Sequence, residues 1–139
     1  MSGMTDVPSP VSADVLTESV QLSQEFLNQV LTRINQLPQL SEIRAIDLNQ
    51  YVSSLTMEVG TLVEITTLIS QVIQKRYKQT LNGAKESHVH LLFIMKGINQ
   101  ARQKEDLVAL EDLIKYELKD NLTQWKIDLI PQAKRLLNS

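Results

Sequence analysis

Two long stretches of this chain place apolar residues at alternating steps of four and three, and nothing else in the sequence constrains the fold as strongly. The first stretch holds Leu16, Val20, Leu27, Val30, Ile34 and Leu37, with Ser23 in the one gap. The second holds Leu48, Val52, Leu55, Val59, Leu62, Ile69 and Ile73, with Thr66 in its gap. Such a repeat collects on one face of an α-helix, whereas on a strand it scatters over both faces. It is also the spacing of helices that pack side by side along a seam. Turn residues are scarce, with four Gly and four Pro in 139 residues, and aromatics make up 4%. A β-rich chain of this size needs more of all three. The expectation is an all-α fold: an antiparallel bundle of about four helices with a long second helix.

Punctuation sets the expected boundaries. Residues 1–11 carry Gly3, Pro8 and Pro10 without periodicity and read as a flexible tail, with Met4 a candidate natural start and residues 1–3 a candidate expression scar. Residues 12–139 read as one domain. Ser12 is positioned to cap a first helix over 13–36, and Pro38 disfavours helical geometry at Leu37. Ser41 is the next cap candidate, opening a second helix over 42–78. That helix carries a further apolar row, Tyr51, Val63, Ile65, Leu68 and Val72. Gly60 inside it marks a bend or a close helix crossing. Asn82-Gly83 is the clearest turn, and a third helix follows over 85–103, its stripe Leu91, Met95, Ile98 and Ala101. Asp106 caps a fourth helix over 107–129, which Pro131 kinks or ends. Unequal lengths make the second helix overhang and leave apolar surface exposed.

Composition removes several chemistries. Without cysteine there is no disulfide and no thiolate metal site. A net charge of −2 gives no global pull toward nucleic acid. No apolar run is read as reaching the roughly 20 residues that span a bilayer, and the N-terminus lacks a signal-peptide pattern, so the expected compartment is the cytoplasm. No phosphate-binding glycine loop, nucleophile elbow or zinc-protease motif occurs. His88 and His90 lie two apart, the wrong spacing for sharing a metal on a helix. His90 precedes Lys96-Gly97 by six residues, which sets it on the wrong face for a phosphotransfer histidine followed by Lys-Gly. No cofactor or metal is expected.

Two groups of residues stand out as site candidates. The segment 62–73 is apolar on more than one face, which nominates Leu62, Ile65, Leu68, Ile69, Val72 and Ile73 to hold a protein partner or a second copy of the chain. In the fourth helix Leu107, Leu110, Ile114, Leu118, Leu122, Trp125 and Leu129 share a face, and Glu111 and Glu117 fall on or beside it. A carboxylate there swings out to water, links to a cation on a neighbouring helix, or joins a metal or catalytic site. Lys75, Arg76 and Lys78 suit the negative end of the second helix's dipole; with Lys85 they offer a nucleic-acid contact as the alternative.

The fourth-helix residues Leu110, Asp112, Leu113, Ile114, Tyr116, Glu117, Leu118 and Trp125 resemble a pattern, L-x-D-L-[LI]-x-Y-E-L and then Trp, of small uncharacterised bacterial helical proteins. More loosely, the run 98–106 (INQARQKED) is similar to the helix-turn-helix of flagellin-export chaperones, small acidic bundles that wrap a partner's helical terminus. The expected function is a non-catalytic helical protein–protein interaction module, an adaptor, an export-type chaperone or a self-associating bundle, without a nucleic-acid or membrane partner. The alternative is a carboxylate-based metal or catalytic site on Glu111 and Glu117.

Overall fold

The chain makes four helices, α1 (Ala13–Asn35), α2 (Ala45–Tyr77), α3 (Ala84–Gln103) and α4 (107–137), in a computed structural model that describes residues 13–138. The expected tail and the Ser12 cap lie outside those residues. α1 packs on α2 and α4, and α3 packs on α2 and α4, so the helices form a ring around one core. Successive helices run antiparallel: the α1–α2 link lies beside the start of α4 at Glu111, and the α2–α3 turn lies beside its end at Gln132. The all-α bundle with a long second helix, expected from spacing alone, is the architecture observed.

The two heptad stripes become the core except at Leu37, which lies beyond the end of α1 and is half-buried. In α1, Leu16, Val20, Leu27, Val30 and Ile34 are buried, and in α2 the whole series Leu48 to Ile73 is buried. The gap residues Ser23 and Thr66 are buried too. Each hydroxyl donates to the carbonyl four residues back, Ser19 at 2.9 Å and Leu62 at 2.8 Å, so neither brings an unmet donor into the core. Because the α2 stripe is covered from end to end, the expected overhang is absent. The apolar excess of α2 lies sideways, along the helix flank, rather than beyond its neighbours.

Other boundaries shift for local reasons. α2 starts at Ala45, not at 42, and Ser41 does not cap it. After Pro38 the chain closes a single 3₁₀ turn, Leu40–Glu42, to bury Leu40, and Ile43 is extended before the helix can begin. In α3 the buried residues are Ala84, Leu91, Ile94, Ile98 and Ala101, with Ile94 taking the place expected of half-buried Met95. Asp106 does cap α4, its Oδ1 accepting from Ala109 N–H at 3.1 Å. Gly83, at φ 89°, supplies the left-handed turn before α3. A Cβ on Gly60 would meet nothing within 4 Å, so no helix crosses closely there; the close approach is at Gly97, where a Cβ would come within 3.2 Å of Leu113 in α4.

α4 departs most from a regular helix. The centre line of its buried face, Leu110, Ile114, Leu118, Leu122, Trp125, Leu129 and Ala133, advances in steps of four, four, four, three, four and four, with Asn121 and Ile130 buried beside it. That mean of about 3.8 exceeds the 3.6 residues of an α-helical turn, so a pure α-helix would rotate the stripe off the core. Two wide π segments, Leu113–Leu118 and Trp125–Leu129, take up the difference. Pro131 follows the second and neither ends nor breaks the helix, since its missing N–H falls where the hydrogen-bond register is already changing.

α2 also meets the length and composition required to cross a membrane, contrary to the expectation from the apolar runs. A third of its most apolar window is buried against the other helices, and the core helix of a bundle passes the same test.

Candidate functional site

A partly buried polar seam crosses the bundle from α2 to α4. Thr66 Oγ1 lies 2.9 Å from His88 Nε2, and because that hydroxyl donates to Leu62, His88 Nε2–H is the donor between them. The neutral imidazole therefore carries its proton on Nε2. Its ring stacks on Trp125 with centroids 4.8 Å apart and planes at 50°. Burial pushes the His88 pKa below its ordinary 6.5. One turn back on α4, buried Asn121 donates from Nδ2 to Ser87 O at 3.1 Å and lies 3.4 Å from His90 Nδ1. Among the described residues, Trp125 Nε1 and Asn121 Oδ1 find no hydrogen-bond partner. The seam fixes α3 against α2 and α4.

Two further polar links tie the helices at their edges. Between α1 and α2, Arg33 pairs with Glu58 and its guanidinium lies 5.8 Å from the Tyr51 ring centroid. The Tyr51 hydroxyl is held above its ordinary pKa, chiefly by burial; Arg33 opposes the shift and Glu58 adds to it. At the start of α4, Glu111 Oε1 accepts from Leu40 N–H at 2.8 Å and lies 3.6 Å from Lys115 Nζ. Of the three possibilities for Glu111, this is nearest the link to a neighbour, but the neighbour is a backbone donor of the 3₁₀ turn and the cation sits on its own helix. Glu117 is exposed, one residue before buried Leu118 and so turned about 100° from it. Glu117 is thus not on the apolar face, and no hydrogen bond or ion pair joins it to Glu111. Among the described residues no three His, Cys, Asp or Glu come together as a metal-holding group.

The six apolar candidates of α2 divide. Leu62, Ile69 and Ile73 are buried in the core and unavailable to a partner. Ile65 and Val72 are half-buried and Leu68 is exposed. These three form one wall of a groove of ≈ 160 Å³ against α1, whose opposite wall is Val15, Ser19 and Leu22. On the other flank of α2, Val63, Thr67 and Gln71 line a groove of ≈ 370 Å³ against α3, opposite His88, Val89 and Leu92. The outer ridge of α2, from Val63 to Gln71, belongs to both grooves and joins them. The result is a band over α1, α2 and α3 with apolar walls in both grooves and a mixed ridge between them, where Val63, Ile65 and Leu68 alternate with Glu64, Thr67 and Gln71. Leu22, Leu68, Val89 and Leu92 each leave more than half their surface in solvent on it.

Sequence reasoning found the α2 part of this band but missed Val15, Leu22, Val89 and Leu92. The available signal was a secondary row beside each core stripe: Val15 and Leu22 are seven apart, and Val89 and Leu92 three apart, on positions the heptad leaves to solvent. The basic candidates Lys75, Arg76 and Lys78 are exposed at the end of α2, where Lys78 is the left-handed C-cap, and Lys85 lines the α2–α3 groove. No protein-family model, curated protein or solved structure matches the chain.

Proposed function

We propose that this protein is a non-catalytic interaction module that presents the α1–α2–α3 face to another helical protein surface. The observation that carries this reading is the apolar band itself. Leu22 and Leu68 line one groove and Val89 and Leu92 the other, each more than half exposed, and exposed apolar side chains gathered in grooves on one face mark interaction sites. Its form suits a helix: two parallel grooves flank one ridge, the relief into which side-chain ridges of a packed helix fit. The polar seam and the edge links support the role by fixing the three helices that carry the band. An adaptor or an export-type chaperone is a finer form of the same reading, motivated by the resemblance of 98–106 to flagellin-export chaperones.

The test is binding of the apolar dye anilinonaphthalene sulfonate by the folded chain and by a Leu22→Asp/Leu68→Asp variant. Wild-type protein either binds dye or covers the band by associating, and the variant, with unchanged helical circular dichroism, does neither. A wild-type chain that binds no dye, stays monomeric and behaves like the variant contradicts the reading.

A further inference from the structure

We infer that the occupant of the band is a second copy of this chain, docked with its α2 antiparallel to the first across a two-fold axis at Leu68. The inference rests on the interaction reading above and names the partner for it.

An isologous interface must be complementary to itself: whatever residue i meets, the partner must meet in return. The band satisfies this about Leu68. Ile65 and Val72 stand three and four residues to either side, so an axis at Leu68 sets Ile65 of one copy near Val72 of the other and Leu68 on Leu68. The α1 wall (Val15, Leu22) and the α3 wall (Val89, Leu92) flank the same stretch of α2. An axis perpendicular to α2 and lying in the interface turns α1 toward α1 and α3 toward α3, apolar wall against apolar wall.

Charge selects the antiparallel orientation. Glu64, Leu68 and Lys75 fall within about 40° of one another on the outward line of α2. Antiparallel pairing sets Glu64 about three residues, or ~4.5 Å along the axis, from Lys75 of the second copy, within reach of a salt bridge. Parallel pairing sets Glu64 on Glu64 and Lys75 on Lys75, and like charges opposed across an interface work against it. Both signs recur symmetrically, so two such pairs form per dimer.

Absence of native cysteine makes a single introduced thiol a clean reporter. In Leu68→Cys the two thiols meet at the axis, and added diamide takes two electrons and two protons from them to close a disulfide. Met57→Cys is the control, exposed on the same line of α2 but about 33 Å from its counterpart in the antiparallel dimer. The expected result is a dimeric wild-type chain by light scattering and efficient cross-linking at Leu68→Cys but not at Met57→Cys. Leu68→Asp, counted twice in a symmetric interface, raises the dimer dissociation constant by ~100-fold or more. Glu64→Lys weakens the dimer, and adding Lys75→Glu restores it.

Cross-linking at Met57→Cys instead of Leu68→Cys overturns the antiparallel pairing. A wild-type chain still monomeric at about 100 µM, yet binding dye in a way that Leu68→Asp abolishes, overturns the second copy and leaves the interaction reading standing. A monomer that binds no dye overturns both.

Discussion

At the scale of single residues, three side chains hold positions that ordinary bundle patterning does not require. Trp125 is buried and stacked on His88, so Trp125→Ala is expected to cost about 3–5 kcal/mol by denaturant unfolding, mostly as a cavity. His88 is held neutral by burial, below its ordinary pKa of 6.5. The unfolded chain takes up that proton near 6.5 and the folded one only at lower pH, so the His88 contribution to stability is constant above that range and is lost as pH drops below 6.5. Thermal melts between pH 5 and 8 read this, and His88→Gln is expected to remove the His88 share of the slope. Glu111 accepts a backbone hydrogen bond that holds the 3₁₀ turn to α4. Its replacement by Ala is expected to destabilise the fold by roughly 1–2 kcal/mol, with faster amide exchange at Leu40; exchange as slow as in the wild type would remove Glu111 from this role. The sequence marks Trp125 and Glu111 as candidates because they stand out against an apolar helix face. His88 has no such mark in the sequence, because its partners Thr66 and Trp125 lie 22 positions before it and 37 after, and spacing within one helix cannot register them.

At the scale of helices, legibility follows periodicity. The core stripes of α1 and α2 are readable almost to the residue because they keep one period and their gap residues can satisfy themselves. α4 was readable as a helix but not in its path. Its four-residue steps were present in the sequence, yet their meaning appears only when the stripe must stay on one core for 31 residues, 107–137. Glycines separate in the same way: Gly60 and Gly97 look alike in sequence, and only packing distinguishes them. Gly60→Ala, in open space on α2, is expected to stabilise by about 0.5–1 kcal/mol, the ordinary helix-propensity gain. Gly97→Ala meets Leu113 at 3.2 Å and is expected to forfeit that gain or lose stability. Equal effects in chemical denaturation would mean that α3 and α4 are not in close approach at Gly97. The start of α2 was missed because Pro38 and buried Leu40 act together, one forbidding helix and the other pulling the link inward.

At the scale of the whole molecule, the four helices cover their own core and still leave a band of apolar side chains across three of them. The sequence nominates α2 for a partner, and three of the six residues it names, Ile65, Leu68 and Val72, stay accessible on the flank of that helix. An overhang beyond the bundle was expected, whereas α2 is packed along its length and its free apolar surface lies on its flank. That difference was illegible because flank and overhang have the same composition; only the positions of α1 and α3 beside α2 separate them. Flank surface shared among three helices can be buried by one symmetric event, pairing through α2. The most direct measurement is molar mass by light scattering across a dilution series, for wild-type chain and for Leu68→Asp. Pairing through α2 predicts a wild type that falls from twice 15.8 kDa to 15.8 kDa on dilution, and a folded Leu68→Asp that stays at 15.8 kDa throughout. A wild type at 15.8 kDa at every concentration, or a Leu68→Asp chain as dimeric as the wild type, contradicts it.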